Sequence, residues 1–241
     1  MKPGISYHPL LRTLVSLLLY VGIYYLIFHD IKSILLLVIV IIVHESGHYI
    51  AMKILGYDKV KMLFIPLLGA FVSGQPAQVH PSKKMIVLMA GPLPGIIIGM
   101  ICALIFSASR QYIYFQLAMM FIFLNVFNLL PVTPMDGGQM LETLFFRSNK
   151  IVQTIFIALS SMVIGFIAWG TRNYALFIIV IFLLIRVRSI WKKNNAHETV
   201  DGHLIDQEEE ISLSNTWKAA YSILWLLSMV LPLMELMKIS A

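Results

Sequence analysis

The sequence predicts an all-α multi-pass membrane protein with six to seven transmembrane helices and a small re-entrant β element. Three observations carry this expectation. Of 241 residues, 59% are apolar and only 12% charged, where an ordinary globular domain carries roughly a quarter charged. The apolar residues collect into stretches close to the ~20 residues that a membrane-crossing helix requires. One further apolar run, within Lys59 to Gly74, is too short to cross and is interrupted by Pro66 and Gly69.

The first span is Leu14 to Phe28. It follows Lys2 and Arg12 as a signal peptide would, but it lacks a small-residue cleavage site and meets the next span through the short His29 to Lys32 turn, so it reads as a retained anchor. The second span is Ser33 to Leu55. The segment Lys59 to Gly74 has a central apolar run of about eleven residues, which cannot bridge ~30 Å of hydrocarbon, and is expected to dip in and return. Non-helical backbone at that depth requires protein or a water-filled cavity around it; the alternative is a hairpin lying on the cytoplasmic leaflet. Met85 to Phe106, Tyr112 to Leu130, Ile151 to Gly170 and Tyr174 to Ile185 supply four more spans. Residues 194–216, with Glu198, Asp201, Asp206, Glu208, Glu209 and Glu210, form an acidic cytoplasmic linker. Trp217 to Met237 is a weaker seventh span because Pro232 and Glu235 interrupt its end. Residues 1–193 are therefore the expected core, with the linker and last span accessory to it.

The net charge of +6 is a topology signal. With the N-terminus cytoplasmic, fourteen of the 18 Lys and Arg residues fall on the cytoplasmic side and only Lys32, Arg110, Arg172 and Lys238 on the other, the bias that orients multi-pass proteins. Positive charge spread over loop ends excludes a nucleic-acid partner and gives the lipid bilayer, with the plasma membrane as the expected location. The single cysteine, Cys102, lies in an apolar run, so there is neither a disulfide framework nor a cysteine-based zinc site. Oligomeric state leaves no trace in the sequence.

The chemistry begins on the second span, where His44, Glu45, Ser46, Gly47 and His48 read H-E-x-x-H. Residues four apart share a helix face, so both imidazoles can reach one metal ion with Glu45 beside them. Composition alone would produce such a pentapeptide on the order of 1 time in 200, and ionisable groups inside a span are costly enough to mark function. The competing reading is a set of polar side chains that hold helices together. A catalytic zinc takes three protein ligands and keeps one open position, so a third donor must come from elsewhere. Of twelve acidic residues, six lie in the linker, Asp30 and Asp58 sit at loop ends, and Glu235 is in the last span. Asp136 and Glu142 remain, and Asp136 is preferred because Pro131 and Pro134 break the chain before it while Gly137 and Gly138 allow close backbone approach. By residue type Asp136 also suits a plain helix N-cap for the segment to Phe146.

H-E-x-x-H in one span, with Asn128-Leu-Leu-Pro-Val-Thr-Pro-Met-Asp-Gly-Gly138 at the end of a later one, resembles the site-2 protease family of intramembrane zinc metalloproteases. The resemblance covers the second to fourth spans and the dipping segment. It implies one zinc per chain held by His44, His48 and Asp136, with Glu45 as catalytic acid/base and Asn128 contacting substrate or transition state. Pro66 to Phe71 is similar to the family's re-entrant loop, and Ala90-Gly-Pro-Leu-Pro-Gly95 to its A-G-P-x-x-N element, with Gly95 departing from the usual asparagine. Close helix packing alone would also account for Gly91 and Gly95.

The expected chemistry is hydrolysis: Glu45 takes a proton from the attacking water and passes it to the leaving amine, and Asn128 donates to the oxyanion. By residue type Asn128 equally suits a helix end, satisfying backbone freed by Pro131, and Asn125 one turn earlier reads as interhelical glue. The expected partner is a transmembrane protein or peptide substrate, which must unwind and add as a strand along Lys61 to Gly74. The other class of function is a non-catalytic membrane protein or transporter using intramembrane polar residues. An intact ligand set beside Glu45, and the lack of an inverted repeat, favour the enzyme.

Overall fold

A computed structural model describes residues 9–65, 69–75, 80–146, 149–172, 176–195 and 213–240. The expectations for Pro66, Leu67 and Leu68, and for residues 196–212 of the acidic linker, lie outside these residues. In chain order the elements are α1 (Pro9–Phe28), α2 (Ile31–Ile54), β1 (Asp58–Ile65), β2 (Gly69–Gln75), α3 (Pro81–Ala90), α4 (Pro92–Ser109), α5 (Tyr112–Asn128), α6 (Asp136–Leu141) with a π-helical turn at Glu142–Phe146, α7 (Lys150–Thr171), α8 (Leu176–Asn195) and α9 (Asn215–Ser240). They divide into two compact units, one of Met1–Val79, Ile86–Phe127 and Leu226–Ala241, the other of His80–Met85 and Asn128–Trp225.

In the first unit, α2 begins where Asp30 accepts hydrogen bonds from the Lys32 and Ser33 amides. The Ser33 hydroxyl and amide, followed by the Lys32 amide, hold the Asp30 carboxyl below its usual range. The helix ends before Gly56, whose φ of +80° turns the chain into β1 at little steric cost. The segment expected to dip and return is an antiparallel hairpin in the described residues, with Met62 opposite Val72, Leu63 opposite Phe71 and Phe64 opposite Ala70. On the other side of β1, the Thr13 hydroxyl of α1 donates to the Met62 carbonyl at 2.8 Å and the Ser16 hydroxyl accepts from the Phe64 amide at 3.2 Å. Two side-chain hydroxyls thus do there what a third strand would otherwise do. Tyr20, Ile34, Val38, Ile41 and Phe64 close the core between α1, α2 and the hairpin.

The third expected span, Met85 to Phe106, is two helices, with the break at Gly91 before Pro92. Pro92 has no N–H for the preceding turn and its ring crowds that turn, so it opens a new helix. The fourth ends at Asn128, two residues earlier than expected, because a chain approaching Pro131 is driven out of helical conformation. Cys102, Ala103, Ala118, Ile122, Val126 and Leu236 bury together, so the C-terminal half of α9 is part of this unit's core.

In the second unit, α7 and α8 pack through Ile157, Ile164 and Leu183, with Val132 against them. Helix α8 runs ten residues past the apolar stretch expected to end at Ile185. Helix α9 continues through Pro232, where the sequence suggested interruption; neighbouring groups in a membrane helix can take up the backbone that proline frees. In the described residues, four helical stretches are long and apolar enough to cross a membrane, namely Ile31–Ile54, Pro81–Ser109, Lys150–Gly170 and Asn215–Lys238. The apolar parts of α1 and α5 are shorter, Leu11–Ile27 and Tyr112–Asn128, and α8 carries Arg186, Arg188, Lys192 and Lys193.

Candidate metal centre

Helix α2 places His44 and His48 one turn apart, both buried, with Glu45 buried beside them. The ring centroids are 4.8 Å apart with the planes at 80°. Each Nδ1 meets an oxygen. His44 Nδ1 lies 2.8 Å from Asn125 Oδ1, and His48 Nδ1 lies 2.8 Å from the Val87 carbonyl. A carbonyl can only accept, so His48 carries its proton on Nδ1. The orientation of the Asn125 amide is equally determined, because its Nδ2 donates to the Phe121 carbonyl at 2.7 Å. Its oxygen therefore faces His44, and His44 too is protonated on Nδ1.

The two Nε2 atoms face each other at 3.2 Å. Two Zn–N bonds of 2.0–2.1 Å at a tetrahedral angle would separate the nitrogens by about 3.3–3.4 Å, so the spacing fits zinc. Val87 is in the last turn of α3, so the ring of His48 is tied to the end of that helix. Gly91 leaves room for the same ring, since a Cβ there would lie 2.2 Å from His48 Nε2.

Asp136 belongs to the second unit. The sequence alternative made it an N-cap, but Met135 holds that position and Asp136 is the first residue of α6. It is buried. The segment before it is held by backbone contacts: a Cβ at Gly137 would lie 1.9 Å from the Leu129 carbonyl oxygen, the Ser160 hydroxyl accepts from the Thr133 amide at 3.2 Å, and Trp225 Nε1 of α9 donates to the Leu129 carbonyl at 2.8 Å. Glu142, the other acidic candidate, is committed elsewhere: its Oε1 pairs with Arg186 at 2.6 Å and accepts from Gln153 Nε2. Among the described residues, His44 and His48 in the first unit and Asp136 in the second are buried side chains of the types that could hold a metal ion.

Asn128 is the half-buried last residue of α5. The asparagine that meets His44 is Asn125, one turn earlier, which sequence reasoning gave only a helix-packing part. Its one signal was an amide in the middle of an apolar span.

A family model described as Peptidase family M50 matches residues 32–111 and 107–171. The chain is 25% identical over 162 residues to a zinc metalloprotease of Methanocaldococcus jannaschii, covering 63% of this chain and 46% of that protein. It is 28% identical over 149 residues to stage IV sporulation protein FB of Bacillus subtilis, covering 58% and 47% respectively. The chain thus spans about half the length of the curated relatives it matches. Of solved structures, it is similar to a site-2 protease from Methanocaldococcus jannaschii with a TM-score of 0.49 and 21% identity, over 82% of this chain and 93% of that one.

Proposed function

The chain belongs to peptidase family M50, the family of the site-2 proteases, and from that membership we propose that it is a zinc-dependent endopeptidase of the membrane. Its substrates are transmembrane proteins or small peptides, cut in or near their membrane segments. The observation that carries the reading is the pair of buried imidazoles with both Nδ1 atoms anchored on oxygens, which leaves the Nε2 atoms, 3.2 Å apart, at a spacing that suits two ligands of one zinc ion. His44 and His48 hold the ion, and Asp136 completes the three-ligand set that catalytic zinc requires. Zinc, when bound, supplies a Lewis acid for the scissile carbonyl and lowers the pKa of water toward about 7.

The protein's own groups do the rest. Glu45, buried on the same turn as His44, accepts the proton of the attacking water and hands it to the leaving amine. Asn128 donates an amide N–H to the oxyanion. Four spanning helices are joined by α1 and α5, and by α8 for a seventh crossing. The basic residues favour a cytoplasmic N-terminus in a plasma membrane and a site open to the cytoplasmic half of the bilayer.

A helical substrate has no free carbonyl to offer, so it must unwind and its backbone must find new partners. The hairpin supplies an edge for that. Met62 and Phe64 turn their backbone groups toward α1, so their partners Val72 and Ala70 turn theirs away from β1. The substrate strand adds along that side of β2.

The test is cleavage of a reporter with a helix-weakened transmembrane segment by the detergent-solubilised chain. Chelation should abolish cleavage and zinc restore it, and Val72→Pro, which removes one outward N–H without touching the ladder to β1, should lower cleavage while zinc content stays the same. Cleavage that survives complete zinc removal would refute the metalloprotease reading; an unimpaired Val72→Pro would refute the β2 docking edge.

A further inference from the structure

The amide that orients His44 occupies space that only a glycine on α4 can leave. An added Cβ at Gly95 would lie 2.1 Å from Asn125 Nδ2, 2.6 Å from its Cγ and 2.8 Å from its Oδ1. Asn125 is fully buried, and its two polar ends are both engaged, Nδ2 with the Phe121 carbonyl on its own helix and Oδ1 with His44 Nδ1 on α2. A packing asparagine needs neither that partner nor that fit. Gly95 also stands at the one position of the A-G-P-x-x-N element where this chain departs from asparagine.

We propose that Asn125 is a positioning residue for metal binding, seated in the gap at Gly95, and that the two positions form one device. The α5 amide locks His44 in the Nδ1–H tautomer and aims Nε2 at the ion, using the volume that a side chain at position 95 would fill. A partner on the far nitrogen of a metal-binding imidazole fixes its tautomer and orientation, and losing one typically costs 10- to 100-fold in metal affinity. The proposal rests on the zinc reading above, and its test separates the two.

The experiment measures zinc affinity of the solubilised full chain by competition with a chromophoric chelator, and records the visible absorption of the cobalt-substituted protein as a signature of ligand geometry. Asn125→Leu, which keeps the volume and removes the oxygen, should weaken zinc by about 10- to 100-fold and alter the cobalt bands. Gly95→Ala, which touches no ligand but displaces the amide, should weaken zinc as Asn125→Leu does. Wild-type affinity and cobalt bands in Asn125→Leu would overturn the proposal. If circular dichroism shows that Asn125→Leu is not folded, Gly95→Ala decides: undiminished affinity there refutes the device. A wild-type chain that takes up no zinc at all would refute the metalloprotease reading itself.

Discussion

The histidine-bearing and aspartate-bearing regions are built in opposite ways. His44 and His48 sit on an uninterrupted helix, so their spacing is fixed by helical geometry and only their ring orientations need outside help, from Asn125 and Val87. Asp136 follows an irregular stretch broken by Pro131 and Pro134. Its position depends on groups distant in sequence: Ser160 on α7 and Trp225 on α9 hold the loop before it, and Arg186 on α8 holds the turn after it through Glu142. A ligand pair on one helix is locally specified, whereas a ligand on a broken segment is only as well placed as its remote anchors. Perturbing those anchors should therefore damage metal binding more than comparable changes on the solvent- or lipid-facing side of α2.

The largest effect is expected at Gly137. A Cβ there would lie 1.9 Å from a backbone oxygen, which cannot swing aside like the end of a flexible side chain. Gly137→Ala should destabilise by about 3 kcal/mol or more and remove zinc, while Gly165→Ala on α7, where nothing lies within 4 Å, should do neither. Equal zinc content in both variants would show that the loop tolerates displacement. Next comes Glu142→Leu, which strands the Arg186 guanidinium. Arg186 keeps 29% of its side-chain surface exposed, so it can partly recover water, and the loss in a denaturation series should be about 1–3 kcal/mol. Because Glu142 is not a ligand in this account, zinc should still reach full occupancy at saturating concentration; a variant that cannot be saturated would put Glu142 in the metal site. The smallest effect is Trp225→Phe, which keeps the ring and deletes one hydrogen bond to Leu129, worth about 1 kcal/mol. A lower zinc affinity with little loss of stability would tie α9 to the ligand loop. No change in either would return α9 to the accessory part that the sequence suggests for it.

The same contrast explains what could be read from residues alone. The H-E-x-x-H face needs only the helical period, and it was legible. Asp136 was reachable by elimination among twelve acidic residues, yet whether it capped a helix depended on Met135 taking the extended cap position instead. Pro92 explains the break at Gly91 once the α3–α4 junction is seen, but proline also lies inside α9 without ending it, so the residue type alone does not decide. Asn125 and Asn128 are nearly equivalent as sequence. Only the packing of α5 against α2 and α4 decides which amide reaches His44, and that packing depends on Gly95, whose meaning lies in the side chain that fills its gap. Likewise nothing local marks Thr13 and Ser16 as the partners of β1.

In the proposed mechanism, metal binding and proton transfer reside on different carboxylates, Asp136 and Glu45. Zinc content and reporter cleavage measured together on wild type, Glu45→Gln and Asp136→Asn test it most directly. Glu45→Gln should keep near-stoichiometric zinc and lose cleavage by about 10²- to 10⁴-fold or more, the scale of a general acid–base group. Asp136→Asn exchanges an anionic ligand for a neutral one, so zinc and cleavage should fall together. A Glu45→Gln protein that cleaves at the wild-type rate, or an Asp136→Asn protein that retains full zinc and full activity, would contradict the account.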